Sequence, residues 1–283
     1  MLRTVIVHLD NPRRAQDLLG VAASIAEAHS ARLVGLHVVP DIFIPATVPV
    51  EVTGELIEAQ QRADAQAAAK IEAQFNEAMA AARVPHEWRK AQARFETVAD
   101  VVMRHGRTAD LIVVGQPEQK LDVFSGIDAS EEIVLGSGRP VLVVPMTGHD
   151  GPIGKHILVA WKDSREAARA TFDALVLLKA ASSVRILSVS RPKGGARPGD
   201  GGRVIEATEI AASLARHGVK CEIVEATGPD SSVPGEILAQ VKSKGCDLVV
   251  MGGYGHSRLR EVVFGGATRA MFDTMTVPVL MSH

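Results

Sequence analysis

Short runs in which nearly every position is apolar alternate along this chain with longer stretches whose apolar residues recur every three or four positions. Thr4-Val5-Ile6-Val7-His8-Leu9-Asp10 is a compact β-branched run, and the stretch after it places Ala15, Leu18, Leu19, Ala22, Ile25 and Ala26 on one helical face. A second apolar run covers Leu33 to Val39. Later, His156-Ile157-Leu158-Val159-Ala160-Trp161 precedes a helical pattern carrying Ala168, Phe172, Leu175 and Val176, and then Val184 to Val189. Strands apolar along their whole length are buried on both faces, which argues for a parallel sheet between helices.

The pattern also repeats. Ala109-Asp110-Leu111-Ile112-Val113-Val114-Gly115 has its counterpart in Cys246-Asp247-Leu248-Val249-Val250-Met251-Gly252, and Pro140-Val141-Leu142-Val143 in Pro278-Val279-Leu280-Met281. Two homologous halves, 1–147 and 153–283, are expected, joined through the glycine-rich, polar stretch Met146 to Gly154. Strands are predicted near 4–9, 33–39, 86–92, 110–115 and 141–145, and again near 156–161, 184–189, 220–225, 247–252 and 278–282. Helices are predicted near 12–29, 51–83, 96–106 and 125–137, then 164–180, 203–217, 234–244 and 265–274. Right-handed crossovers then give an open α/β sheet in each half.

Two segments depart from the repeat. Glu55 to Arg83 reads as a surface helix with a thin apolar stripe of Leu56, Ile57, Ile71, Phe75 and Met79, or as a partner-binding helix. Arg191 to Gly202 is too rich in Gly and Pro for regular structure and reads as a mobile loop, with Arg191, Lys193 and Arg197 as solvated charge.

The chain has 283 residues, large enough for one or two buried cores, and 31 Lys and Arg against 33 Asp and Glu. It therefore lacks the overall basic excess of a backbone-driven nucleic-acid binder. Cys221 and Cys246 form neither a disulfide framework nor a paired metal motif, and a reducing cytoplasm fits best. No run approaches the ~20 apolar residues of a membrane span. The expectation is a soluble, cytoplasmic protein with neither nucleic acid nor membrane as partner.

The most informative chemistry follows Met251. Gly252-Gly253-Tyr254-Gly255-His256-Ser257-Arg258-Leu259-Arg260 leaves a buried strand, and Gly265-Gly266-Ala267-Thr268 opens a helix. Glycine permits close backbone approach, and unpaired N–H groups at a helix start favour an anion such as phosphate. His256, Arg258 and Arg260 supply candidate counter-charges.

The spacing of Gly252, Gly255 and Gly265 resembles the nucleotide loop of the universal stress protein family, in which a final Ser or Thr follows the third glycine. The duplicated halves, the Pro-Val-Leu closing strands and the Val159 to Ala167 run are similar too, so the resemblance covers essentially the whole chain as a tandem member. It implies two Rossmann-like domains, each a five-stranded parallel sheet with helices on both faces, packed as an intramolecular pseudo-dimer through their last strands. It further implies an adenine nucleotide at the strand ends, with Mg only as a companion of its phosphates, and a stress-response role without dedicated catalysis.

Carried over residue by residue, the site in the C-terminal half comprises Met251, Gly252, Gly255, His256, Arg258, Gly265, Gly266 and Ala267, with Lys162 and Val189 at the ends of the first two strands. Gly266 stands in place of the Ser or Thr, and Lys162 in place of an Asp that would accept a hydrogen bond from adenine. In the N-terminal half Asp10 is present and Gly115 survives, but Gln116-Pro117-Glu118 replaces the loop, leaving a vestigial site. Two readings stand: a regulator that binds ATP, ADP or AMP, or an interaction scaffold that has lost nucleotide and works through an unknown protein partner. Weak ATP hydrolysis ranks third.

No catalytic motif is present: there is no G-x-S-x-G elbow, no Walker lysine loop and no Cys beside an obvious base. The ten histidines lack metal-ligand spacing, with His8 and His37 on neighbouring strands as the only plausible pair. Asp110 and Asp247 read as structural, and Cys246 as a small core residue.

Overall fold

The computed structural model describes residues 1–42, 50–117, 128–149, 151–190, 206–227, 233–254 and 266–283. The expected loop at 191–202 lies outside the described residues. Two compact units emerge, Leu2–Gly115 and Gln116–His283, the second also taking Met1.

The unit Leu2–Gly115 runs β1 (Thr4–His8), α1 (Ala15–His29), β2 (Arg32–Val39), α2 (Val50–Ala81), β3 (His86–Gln92), α3 (Val98–Gly106) and β4 (Leu111–Gly115). Its strands lie in the order β3-β2-β1-β4 and pair in parallel. Consecutive residues of β1, β2 and β4 are buried, so both sheet faces are covered. The helices α1, α2 and α3 supply that cover.

Local chemistry sets the helix ends. At α1 the Asn11 carboxamide oxygen accepts the Arg13 N–H at 2.9 Å and the Asn11 carbonyl accepts the Arg14 N–H at 3.1 Å. This turn delays the helix to Ala15, past the predicted start at 12. At α3, Thr97 and Asp100 form a reciprocal capping box. The apolar stripe of α2 is buried only in its C-terminal half, at Ala68, Ile71, Phe75 and Met79, while Leu56 remains half exposed. Phe75 anchors that half against the Trp88 ring at 5.2 Å.

The unit Gln116–His283 begins with the last helix and strand of the N-terminal repeat, α4 (Ala129–Gly136) and β5 (Val141–Val144). It continues with β6 (His156–Trp161), α5 (Arg165–Asp173), α6 (Leu175–Ala180), β7 (Ser183–Ser190), α7 (Ala207–Arg216) and β8 (Cys221–Thr227). Then come α8 (Val233–Lys244), β9 (Leu248–Gly252), α9 (Ala267–Thr274) and β10 (Val279–Ser282). The predicted helix 164–180 breaks at Ala174, where Leu177 N–H bonds back to the Ala174 carbonyl at 2.8 Å.

Strand order in this unit is β5-β10-β9-β6-β7-β8. From β8 to β10 all neighbours are parallel in a Rossmann-like order, and the order in which strands are added switches direction between β6 and β9. The closing strands β5 and β10 pair antiparallel, with Leu280 opposite Leu142.

The fourth-strand aspartates tie each first strand down. Asp110 accepts the Arg3 and Thr4 N–H groups at 2.7 and 2.9 Å. Asp247 accepts those of Gly154, Lys155 and His156 at 2.8, 3.0 and 3.1 Å. Replacing Asp247 with Ala removes a charged acceptor from three donors and should lower the unfolding free energy by roughly 2 kcal/mol. Urea denaturation checks this, and Asp110→Ala should cost less.

Candidate functional site

In the C-terminal half, β9 delivers Met251 into the core between Ala160 of β6 and Met281 of β10. At the next residue the strand touches the first turn of α5. A Cβ built on Gly252 would stand 2.6 Å from Ala167 N and 2.8 Å from Glu166 Cβ, so only glycine permits this approach.

Tyr254 follows in the left-handed region, φ 55°, and its N–H donates to Thr268 Oγ1 at 3.0 Å. Thr268 is buried in the first turn of α9. Its hydroxyl is turned inward to hold the strand exit. Gly266 is the N-cap of α9 and makes no side-chain capping bond; it and Ala267 are partly exposed. The positive end of the α9 dipole thereby stands at the C-terminal end of β9. Gly255, His256, Arg258 and Gly265 lie outside the described residues.

Across the switch between β6 and β9, Lys162 and Asp163 are exposed at the end of β6, and Val189 is partly buried near the end of β7. The N-terminus of α5 is capped from within, Ser164 Oγ accepting the Ala167 N–H at 3.2 Å. Glu166, 4% exposed, pairs with Arg165. Burial alone would push its carboxyl up, but the Arg165 guanidinium, its own backbone N–H and Ser164 outweigh burial and hold it below the usual carboxylate range. His283 adds a neighbour that sequence reasoning missed, its Nδ1 lying 3.0 Å from the Gly253 carbonyl and its Nε2 3.4 Å from Arg165 Nη2.

The N-terminal half solves the same position differently. Asp10 is exposed after β1. Above Gly115 a Cβ would meet the Arg14 guanidinium, with Nη1 at 2.6 Å. Arg14, 7% exposed, is the repeat counterpart of Glu166, so one position carries buried charges of opposite sign in the two halves. Gln116, which reads in sequence as part of a replaced loop, is a buried clasp. Its side-chain amide donates to the Phe272 carbonyl and accepts the Met146 N–H at 2.6 Å, while its own N–H donates to the Val144 carbonyl at 2.7 Å.

The remaining candidates separate. His8 is in register with Leu36, which directs it to the face opposite that of His37, whose Nδ1–H donates to the Leu9 carbonyl at 2.7 Å. The two histidines are therefore not a ligand pair. Among the described residues no group of three or more His, Cys, Asp or Glu is placed to hold a metal. Burial pushes the Cys246 thiol up, away from reactive thiolate chemistry. Among the described residues no helix is long and apolar enough to cross a membrane.

Fold and strand order define a tandem α/β protein of Rossmann-like topology. The universal stress protein family profile matches residues 1–145 and 154–283, and the chain belongs to that family. A search of curated proteins returned no match. Among solved structures, a universal stress protein from Archaeoglobus fulgidus DSM 4304 is 17% identical, with 98% of this chain and 94% of that chain covered and a TM-score of 0.65. A functionally unknown protein from Pseudomonas aeruginosa PAO1 is 13% identical, with 99% and 92% covered and a TM-score of 0.53. A universal stress protein in complex with cAMP is 22% identical over 51% of this chain and 97% of that chain, TM-score 0.31.

Two outcomes follow. Gly252→Ala presses a Cβ on backbone atoms and should cost roughly 1–3 kcal/mol, whereas Gly115→Ala meets only the end of a flexible side chain and should cost less; denaturant titration of both variants measures the difference. Glu166 has a depressed folded-state pKa, so its contribution to stability is present above the unfolded carboxyl value and is lost as pH falls through the folded value. The melting temperatures of Glu166→Gln and wild type should therefore converge as pH falls below the usual carboxylate range.

Proposed function

We propose that this chain is a stress-response regulatory module that binds an adenine nucleotide, ATP, ADP or AMP, in its C-terminal domain without dedicated catalysis. In this reading the domains run 1–147 and 153–283 and the protein works in the cytoplasm. The phosphates rest on Gly252, Gly255, Gly265, Gly266 and Ala267, next to Met251 and near His256 and Arg258. Lys162 and Val189 stand toward the ribose and base, and Mg enters only with the phosphates.

The observation that carries this reading is the bond from Tyr254 N–H to Thr268 Oγ1, which brings the α9 N-terminus, with no side-chain cap, to the exit of β9. The donor set suits a phosphate. Lys162 adds positive charge, but it cannot accept from the adenine amine, so phosphate contacts carry more of the affinity than base contacts. Asp10 and Gly115 mark the vestigial counterpart, where Arg14 and Gln116 fill the position.

A second reading, an interaction scaffold without nucleotide, is favoured by Lys162 and by the buried Glu166 carboxylate beside Gly252. Denaturing the purified protein, chromatographing the supernatant and titrating the emptied protein by calorimetry separates the two. Released adenine nucleotide or saturable heat is expected, with Lys162→Ala weakening ATP about tenfold, the equivalent of 1.4 kcal/mol. No released nucleotide and no heat at millimolar ligand would leave the scaffold.

A further inference from the structure

The union of β5 with β10 has the symmetry of a two-fold dimer. Its central pair, Leu142 and Leu280, consists of repeat-equivalent residues, flanked by Val143 with Val279 and Val141 with Met281. The strands are apolar on both sides and alike in register. Backbone pairing of this kind does not distinguish a closing strand of the other half from the same strand of a second chain.

The exits of the fourth strands are not alike. Residues 116 and 253 are repeat equivalents, as are Val134 of α4 and Phe272 of α9. Each exit docks on the last helix of the opposite half. Gln116 uses its amide on the Phe272 carbonyl. Gly253 lies against Val134, where a Cβ would stand 2.8 Å from Val134 Cγ1.

Gly253 is not among the glycines with left-handed φ, so its backbone does not demand glycine. The space does. Val134 is 1% exposed and β-branched, and in a helix such a side chain has essentially one rotamer, leaving it no alternative position.

We infer that the contacts Gln116–Phe272 and Gly253–Val134 form a non-interchangeable set that selects pairing of the N-terminal half with the C-terminal half over pairing of like halves from two chains. Joining two N-terminal halves would set Gln116 against Val134 at both exits, where there is no room for a Cβ. Joining two C-terminal halves would set Gly253 against Phe272 at both exits and leave a buried carbonyl without its donor. Only the unlike pair satisfies both. Gln116, standing where the other half has Gly253, is thus a specificity device, built by rejecting the wrong partner as much as by holding the right one.

The test is a double-mutant cycle in the full chain, read by calorimetry. Val134→Ala opens a cavity in wild type and should lower the melting temperature by roughly 2–6 °C, while Gly253→Ala, chosen over Gly253→Gln because it adds only the Cβ, should lower it as well. In the Gly253→Ala background, Val134→Ala should raise it. An equal drop from Val134→Ala in both backgrounds, or an unchanged melting temperature for Gly253→Ala, would overturn the inference. Selection itself is read by native mass spectrometry after cleaving a protease site inserted at exposed Gly151. Unlike-half complexes are expected alone in wild type, with N-terminal-half dimers appearing in Gln116→Gly. Like-half dimers in wild type, or none in Gln116→Gly, would overturn it.

Discussion

A strand that ends a sheet leaves a row of backbone donors and acceptors open, and the antiparallel pairing of Val141–Val144 with Val279–Ser282 closes two such edges at once. Much of the compact unit Gln116–His283 hangs on that closure. It draws α4 of the first repeat onto strands of both halves. It also sets the two fourth-strand exits against the last helices of opposite halves, so that a change at either exit is felt across the repeat.

The two halves differ at matching positions. Beside Gly252 the α5 backbone presses in and the carboxylate of Glu166 is buried; beside Gly115 the Arg14 guanidinium fills the space instead. At the next residue Gly253 lies under Val134, while Gln116 bridges Phe272 and Met146. The C-terminal half keeps an approach to a helix N-terminus with no side-chain cap. The N-terminal half has spent the same position on holding the protein together.

The strands were legible because runs such as Thr4–His8 and His156–Trp161 are apolar at consecutive positions, which only burial on both faces explains. Ends set by side-chain hydrogen bonds were less so. The α1 start depends on an Asn11 turn, and the break between α5 and α6 falls at Ala174, a residue whose own preference is helical.

The candidate site shows the same division. Glycine spacing pointed to Gly252, but the reason for glycine there is the backbone of Glu166 and Ala167, far away in the chain. Gln116 reads only as part of a replaced loop because its partners, Met146 and Phe272, are remote in sequence. Thr268 was visible as a nearby hydroxyl, and only its bond to Tyr254 reveals that the hydroxyl is already committed.

In the proposed function the nucleotide enters at the fourth-strand exit of the C-terminal half, while Gln116 occupies the exit of the N-terminal half. Amide hydrogen exchange of the full chain with and without millimolar ADP tests this reading most directly. Slower exchange is expected in peptides covering residues 251–254 and 266–274, with no change across 111–117. Protection at Gly115 and Gln116, or no protection at either exit, would contradict the account.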